Sequence, residues 1–389
     1  MEEARSSSVQ LELTADVVRR QAGKLQDSYF FTTWSGSRAG PEHVLVSFCW
    51  YRLDIASFRY KSECPEETRK QDSEVWNRTL ATETTPTPTP KDTLGLVWNW
   101  PWGQQFALDK CTQYGFHGCK LSTDRSLYST ADAVFIHHAD IMYNKKALPQ
   151  QPRPFFQRWV WVNLEPPLII RNLEMVDNLF NATMTFRQDS DIFIPYGRMQ
   201  ITKDPQKVIV PKKSKLVSWV VSKWYPGVPR IAYYEELKKH IPIDVYGANH
   251  MPLSSQDFHP TISQYKFYLS FENSIYKDYI TEKIWSNAFG SWAVPVVLGT
   301  SRKNYERFVP GDAFIHVDDF PSAKELANYL LELDKDDVKY QKYFNWRSQY
   351  YVKLDDGWSY FYCKACSFIK QSPRYQVVHN IADWFLKDV

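Results

Sequence analysis

Apolar residues in this chain fall into short runs separated by polar stretches, the pattern of buried strands alternating with helices. It is clearest at 265–300, YKFYLSFENSIYKDYITEKIWSNAFGSWAVPVVLGT. Residues 266–271 are aromatic and aliphatic and stop at Glu272 and Asn273, as a strand buried on both faces of a parallel sheet does. From Ile280 the apolar positions Ile284, Trp285, Ala288 and Phe289 take helical spacing, with Gly290 at the expected C′ position. Residues 293–298 then predict the next strand. The same plan recurs upstream, with a strand at 215–221, a turn at 222–229, a helix at 230–240 and a strand at 243–246. Further strands are expected at 94–98, 133–137, 159–163 and 313–317, a helix over 322–346, and a closing helix over 375–386.

Residues 1–92 read differently. The start is polar, and 82–93 is a Thr/Pro tract too poor in apolar residues to fold on itself, so this part is expected to be a tail and a stem. The apolar run VLVSFCWY at 44–51 is far short of the roughly twenty residues a membrane-spanning helix needs. No signal peptide or spanning segment is recognisable in this chain. With 389 residues, 43% of them hydrophobic, two ordinary cores are expected. A net charge of +3 without a basic run gives no reason to expect a nucleic-acid partner.

The candidate chemistry gathers at strand ends. Tyr279, Glu282 and Lys283 are spaced to share a face in the first helical turn, where free N–H groups and a cation suit a phosphate. Arg230, just after Pro229, repeats that logic. Glu165 follows the apolar run WVWVNL and precedes two prolines that pin the turn, a suitable place for a general base. The cluster His137, His138 and Asp140 invites a metal reading, but adjacent strand residues point to opposite faces, so no metal site is assigned. Trp98, Trp100 and Trp102 crowd near the first strand, and none is given a role. No GxGxxG or P-loop motif is present.

FYLSFENS, KDYITEK and AVPVVLG, in this order and spacing, closely resemble the motif set of the alpha-1,3-fucosyltransferases. The resemblance covers roughly residues 93–389. It implies an α/β fold of GT-B type, two Rossmann-like domains facing each other across a cleft, with an acceptor-side domain over 93–210, a donor-binding domain over 211–360, and a segment over 361–389 returning to the first. It implies an inverting transferase moving L-fucose from GDP-fucose to the 3-hydroxyl of GlcNAc in N-acetyllactosamine-type glycans, with no metal required. Glu165 matches the family's proposed catalytic glutamate. Tyr196, Ser222, Arg230, Asn273, Tyr279, Glu282 and Lys283 fall at donor-binding positions, and His137, His138 and Asp140 at an acceptor-binding segment. Ala139 departs from the usual Trp or Arg, which leaves open an alpha-1,3/1,4 enzyme using type 1 chains, and on the donor side Lys223 stands where Asn is common. A non-catalytic glycan- or nucleotide-binding isoform is the alternative of another class. The resemblance also implies two disulfides among Cys111, Cys119, Cys363 and Cys366, in open pairing order, and a Golgi membrane protein with a lumenal catalytic part. Asn77 and Asn181 stand in glycosylation sequons.

Overall fold

The computed structural model describes the backbone of 30–35, 47–54 and 59–63, and residues 91–205, 207–372 and 374–387 in full. Asn77 lies outside the described residues. The chain divides into two compact units, 1–88 and 89–389. In the first, β1 (Phe30–Ser35), β2 (Ser47–Asp54) and β3 (Arg59–Glu63) form an antiparallel sheet in the order β1-β2-β3. This part was expected to be tail and stem throughout; the VLVSFCWY run instead overlaps its central strand.

The second unit holds two parallel sheets. The strands β4 (Thr93–Val97), β5 (Cys119–Ser122), β6 (Ala133–His137), β7 (Arg158–Asn163), β8 (Ala182–Thr185) and β9 (Ile192–Phe193) are ordered β5-β4-β6-β7-β8-β9. After β10 (Arg198–Ile201), β11 (Lys215–Val220), β12 (Asp244–Tyr246), β13 (Tyr265–Phe271), β14 (Val294–Leu298) and β15 (Ile315–His316) are ordered β12-β11-β13-β14-β15. In both sheets the second strand lies outside the first and the third on its other side. Chain direction across the sheet therefore reverses between β4 and β6, and again between β11 and β13, the places where doubly wound sheets open a ligand crevice beyond their strand ends. The strands were legible because they are buried throughout: all of β6, β8 and β14 and nearly all of β7 and β13 lack solvent contact.

The helices depart more from expectation. In the second lobe, α1 (Pro229–Leu237) is shorter than predicted, and α2 (Phe258–Ile262) and α3 (Arg302–Tyr305) are single turns. The helix expected over 322–346 is two, α4 (Ala323–Lys335) and α5 (Asp337–Lys342), because Asp336 leaves helical geometry and caps the next turn through the Lys339 N–H. The helix after Ile280 is a π-helix, Lys283–Phe289. Gly290 is right-handed, not a left-handed C′ residue; Trp292 takes the positive φ, and a Cβ on Gly290 would meet the Ser286 carbonyl at 2.1 Å. The first lobe's crossovers are loops and 3-10 turns, without an α-helix over 93–205. Its sheet is covered from the far end of the chain by α6 (Gly357–Gln371) and by α7 (Ile381–Leu386), the latter much shorter than the helix expected over 375–386.

The chain leaves the first lobe along β10 and comes back along β16 (Tyr350–Lys353), and these pair antiparallel as a ribbon. A two-pronged Arg198–Asp355 ion pair, 2.7 and 3.0 Å, fixes it. Cys363 on α6 is bridged to Cys111. Two bridges were expected, but Cys119 and Cys366 are buried thiols in mutual hydrogen-bond contact. Cys363 and Cys366 are one helical turn apart, so both meet the first sheet. The expected glycan on Asn181 also finds no free amide. That residue is 2% exposed; its Nδ2 donates to the Gln376 carbonyl and its Oδ1 accepts the Trp159 N–H.

Mapping of non-reduced peptides should return Cys111 joined to Cys363 and never to Cys366. The bridge spans 252 residues, so Cys363→Ser should lower unfolding stability. The expected loss is roughly 2–5 kcal/mol, read by chemical denaturation. A Cys111–Cys366 peptide would contradict this placement of α6.

Candidate active site

Glu165 lies two residues beyond β7 and is held by its neighbours. The Asn163 amide grips its backbone from both sides, Nδ2 donating to the Glu165 carbonyl at 2.7 Å and Oδ1 accepting the Glu165 N–H at 3.2 Å. Burial pushes its carboxyl above the ordinary range; Lys223 and Lys283 oppose this and Glu282 adds to it. All three belong to the second lobe. The carboxyl singled out in the sequence therefore lies near charges of the second lobe.

Those charges converge around a residue not singled out in the sequence as a site member. Glu272, at the end of β13, is buried, and accepts from Thr281 N–H and Oγ1 at 2.8 Å each. Lys283 Nζ lies 2.9 Å from Glu272, 3.1 Å from Glu282 and 2.7 Å from Thr281 Oγ1. Burial opposes the Lys283 charge, yet Glu272 and Glu282 together raise its pKa. Burial also works against Glu282, but Lys283 outweighs it and lowers that carboxyl. The predicted shared helical face is corrected here: Tyr279 precedes the helix and is buried, its ring edge-on to Phe186 at 5.0 Å and to Tyr196 at 6.3 Å. Tyr196 donates its hydroxyl to the Leu164 carbonyl at 2.6 Å, next to Glu165. Gly197, beside it, leaves room for Trp285, whose Cγ would lie 2.5 Å from a Cβ.

Arg230 is buried in the first turn of α1. Its Nη2 donates to the Lys223 carbonyl at 2.6 Å, and its Nε is buried without a partner. Burial lowers its pKa, while Glu272, Tyr279 and Glu282 oppose that. Ser222 is exposed just past β11, and Asn273 keeps a buried Oδ1 without a partner just past β13. These positions flank the β11/β13 reversal, where a ligand is expected.

The acceptor-side expectation changes. His138 is fully buried: its Nδ1 accepts from Trp161 Nε1 at 3.1 Å and its Nε2 donates to the Arg171 carbonyl at 2.9 Å. Burial lowers its pKa to about 4, so it is a neutral core residue rather than an acceptor contact. His137 is also buried, its Nδ1 2.7 Å from Asp140 and its ring 4.4 Å from Trp102. Its Nε2 is buried without a hydrogen-bond partner. What faces outward is Trp102, 44% exposed, in left-handed backbone with its N–H on Asp140 at 3.3 Å. Trp358 from α6 lies 5.9 Å away. Trp98 and Trp100 are framework, under Arg125 and against Phe106. The one exposed tryptophan of the three could not be picked out by spacing. No group of His, Cys, Asp and Glu among the described residues is arranged to hold a metal ion.

Residues 90–197 match the family described as fucosyltransferase, N-terminal, and residues 210–384 match glycosyltransferase family 10 (fucosyltransferase) C-term. The chain belongs to the glycosyltransferase family 10 fucosyltransferases. Over 307 residues it is 50% identical to the human 3-galactosyl-N-acetylglucosaminide 4-alpha-L-fucosyltransferase FUT3, covering 77% of this chain and 84% of that protein. It is 48% identical to the human 4-galactosyl-N-acetylglucosaminide 3-alpha-L-fucosyltransferase FUT5 over 82% of this chain and 84% of the relative. The mouse 4-galactosyl-N-acetylglucosaminide 3-alpha-L-fucosyltransferase 9 is 50% identical over 76% and 82%. A solved alpha1,3-fucosyltransferase structure, 18% identical, aligns with a TM-score of 0.51 over 77% of this chain and 96% of its own. The fold of this family member is therefore GT-B type, and the chain is a fucosyltransferase using a nucleotide-sugar donor.

The charge balance at Glu165 yields a pH prediction. A base must be ionised, so activity should fall as pH drops through its raised pKa. Lys223 holds that pKa down. Lys223→Met removes a cation, so the acid limb of kcat/KM should move to higher pH, and Lys223→Arg should restore it. An unmoved limb in Lys223→Met would separate Lys223 from the base.

Proposed function

We propose that this fucosyltransferase moves L-fucose from GDP-fucose to the 3-hydroxyl of GlcNAc in N-acetyllactosamine-type glycans, with inversion and with Glu165 as general base. The observation that carries this reading is the convergence of Glu165, from the first sheet, on Lys223, Lys283 and Glu282 of the second. The acceptor hydroxyl gives its proton to Glu165 as its oxygen bonds the anomeric carbon of fucose. The bond from that carbon to the phosphate oxygen breaks on the opposite face, and GDP leaves with the electron pair. Arg230, with its unpartnered Nε, meets the growing negative charge. All three Lys283 N–H groups are engaged by protein partners, Thr281, Glu272 and Glu282. The diphosphate displaces the half-exposed Glu282, while buried Glu272 keeps the ammonium in place. Ser222, Asn273, Tyr196 and Tyr279 complete the donor pocket. Two cations suffice for this charge, so the reading needs no divalent metal.

Trp102 and Trp358 supply the acceptor platform, the apolar face of a sugar ring lying on the exposed indole. Asp140 orients that indole. Transfer to the 4-hydroxyl of type 1 chains is the second reading, favoured by the similarity to a relative named as a 4-alpha-fucosyltransferase. The reaction is placed in the Golgi lumen on a membrane-anchored protein. The buried bridge Cys111–Cys363 supports an oxidising compartment. No described helix is long and apolar enough to cross a membrane.

Transfer of labelled fucose by the full chain to matched type 1 and type 2 acceptors tests the regiochemistry. Product on type 2 acceptors in large excess is expected, and exclusive type 1 product would replace the 3-hydroxyl assignment. On the donor side, Arg230→Ala should weaken GDP-fucose by roughly 1.5–3 kcal/mol. Trp102→Ala should instead raise the acceptor KM, by an aromatic contribution of about 1 kcal/mol or more. Unchanged donor kinetics in the first, or an unchanged acceptor KM in the second, would remove that residue from the site.

A further inference from the structure

A second cavity, of about 310 Å³, opens at the end of the π-helix opposite Lys283. His259, Ser286, Trp292, Arg347 and Tyr351 contribute to its wall. The Arg347 guanidinium is sandwiched between the indoles of Trp292 at 4.0 Å and Trp346 at 4.4 Å. Of its five N–H groups one donates, from Nη2 to the Phe289 carbonyl at 2.5 Å, and Nε is buried with no hydrogen-bond partner. The neighbouring Trp346 Nε1 is likewise buried and unpartnered, on a residue only 4% exposed. Burial lowers the Arg347 pKa to about 10, and no acidic group offsets it.

A second cation stands close by. Lys213 Nζ donates to the Ser263 carbonyl at 2.8 Å, just beyond α2, the helix that carries His259. Burial, and then the charge of Arg347, lowers its pKa to about 8. Neither cation has a carboxylate within ion-pair distance among the described residues. Other cations are ion-paired, Lys283 with Glu272, Arg187 with Asp189 and Arg198 with Asp355, whereas buried Arg230 at the candidate site also lacks a carboxylate among the described residues. Two desolvated positive charges without a counter-ion are costly, and donors without acceptors add to the cost. An anion entering the cavity would meet Arg347, the one of these groups on its wall, and offset the cost of that charge. The rest of the wall narrows the choice of anion. The Trp292 indole is stacked by Arg347 and Phe344 and backs the guanidinium, while Tyr351 and Leu354, each 47% exposed, form an apolar rim that a bare inorganic ion would leave unused. Pyranose C–H faces suit such surfaces.

We propose that this cavity binds an acidic sugar, of the uronic or sialic class, with Arg347 forking its carboxylate, Lys213 holding the local potential positive, and Tyr351 and Leu354 covering the ring. The site is separate from the transfer cleft and stands whether or not the assigned acceptor is correct. The test is a titration of the full chain with methyl β-D-glucuronoside in phosphate-free buffer, followed by saturation-transfer NMR and calorimetry. Saturable binding is expected, at least tenfold tighter than for methyl β-D-glucoside, which differs only in carrying CH2OH for the carboxylate. Lys213→Met and the rim variant Tyr351→Ala should each weaken it at least threefold, and Arg347→Met should abolish it, with fucose transfer to a neutral acceptor unchanged. Because Arg347 also supports two indoles, the Lys213 and Tyr351 variants decide if Arg347→Met does not fold. Absence of saturable binding, equal binding of the glucoside, or unchanged affinity in both of those variants overturns the proposal. Inorganic sulfate binding as tightly as the glucuronoside overturns its sugar component.

Discussion

The ion pair between Glu272 and Lys283 is the constraint on which the rest of the site depends. Glu272 ends β13, a strand hydrogen-bonded on both sides, and its own N–H is held by the Leu298 carbonyl at 2.8 Å, so the carboxylate has no freedom to relax. Burial raises its pKa, and Lys283 is the chief opposing influence. Removing one partner of such a pair strands the other charge out of water, at a cost of about 3–5 kcal/mol. The pair is therefore poor as a source of stability but effective as a fixed point. It sets the start of the π-helix and holds a cation at the mouth of the β11/β13 crevice, a location where π-helical turns recur in proteins.

The same loop ties the lobes together. Asp278 sits in left-handed backbone, φ 60°, with its side chain accepting from the Gln188 N–H at 3.0 Å, Asn304 Nδ2 at 2.7 Å and Arg307 at 3.2 Å. Gln188 belongs to the first lobe; Asn304 and Arg307 belong to the second. Tyr276 and Tyr279, although they follow β13 of the second lobe, are buried in the core of the first. Arg187 Nη1 donates to the Tyr276 hydroxyl at 2.6 Å, and that hydroxyl donates to the carbonyl of Phe385 on α7. A second-lobe loop clamped into the first-lobe core explains how Glu165 and Lys283, 118 positions apart in sequence, stay registered to each other.

The strands were legible in the sequence because strands of a doubly covered parallel sheet are continuous apolar runs, and the ends of those runs marked Glu165 and Asn273, whereas Lys283 came from helical spacing and Ser222 from the family resemblance. Helix type and length were less legible. A π-turn and an α-turn bury nearly the same residues at 284, 285, 288 and 289, so apolar spacing does not separate them. Glu272 was read only as a strand terminus, since its role comes from Thr281 and Lys283 folding back over it. Lys223 and Trp102 acquire meaning only from what lies across the cleft or beside it. His138 shows the reverse: a cluster that reads as chemistry became core, because Trp161 and the Arg171 carbonyl satisfy both ring nitrogens. Cysteine spacing left the pairing open, and the position of α6 against the first sheet decides it.

The central claim is that Glu165 takes the acceptor proton while the nucleotide is held by the opposite lobe. Glu165→Gln keeps the side chain's size and hydrogen bonding but cannot accept that proton, so the direct test is GDP calorimetry and a single-turnover fucose transfer on the same preparation. The transfer rate should be lower by about 10² to 10⁴ with GDP affinity held within about twofold. A Glu165→Gln enzyme transferring fucose at close to the unsubstituted rate would contradict it.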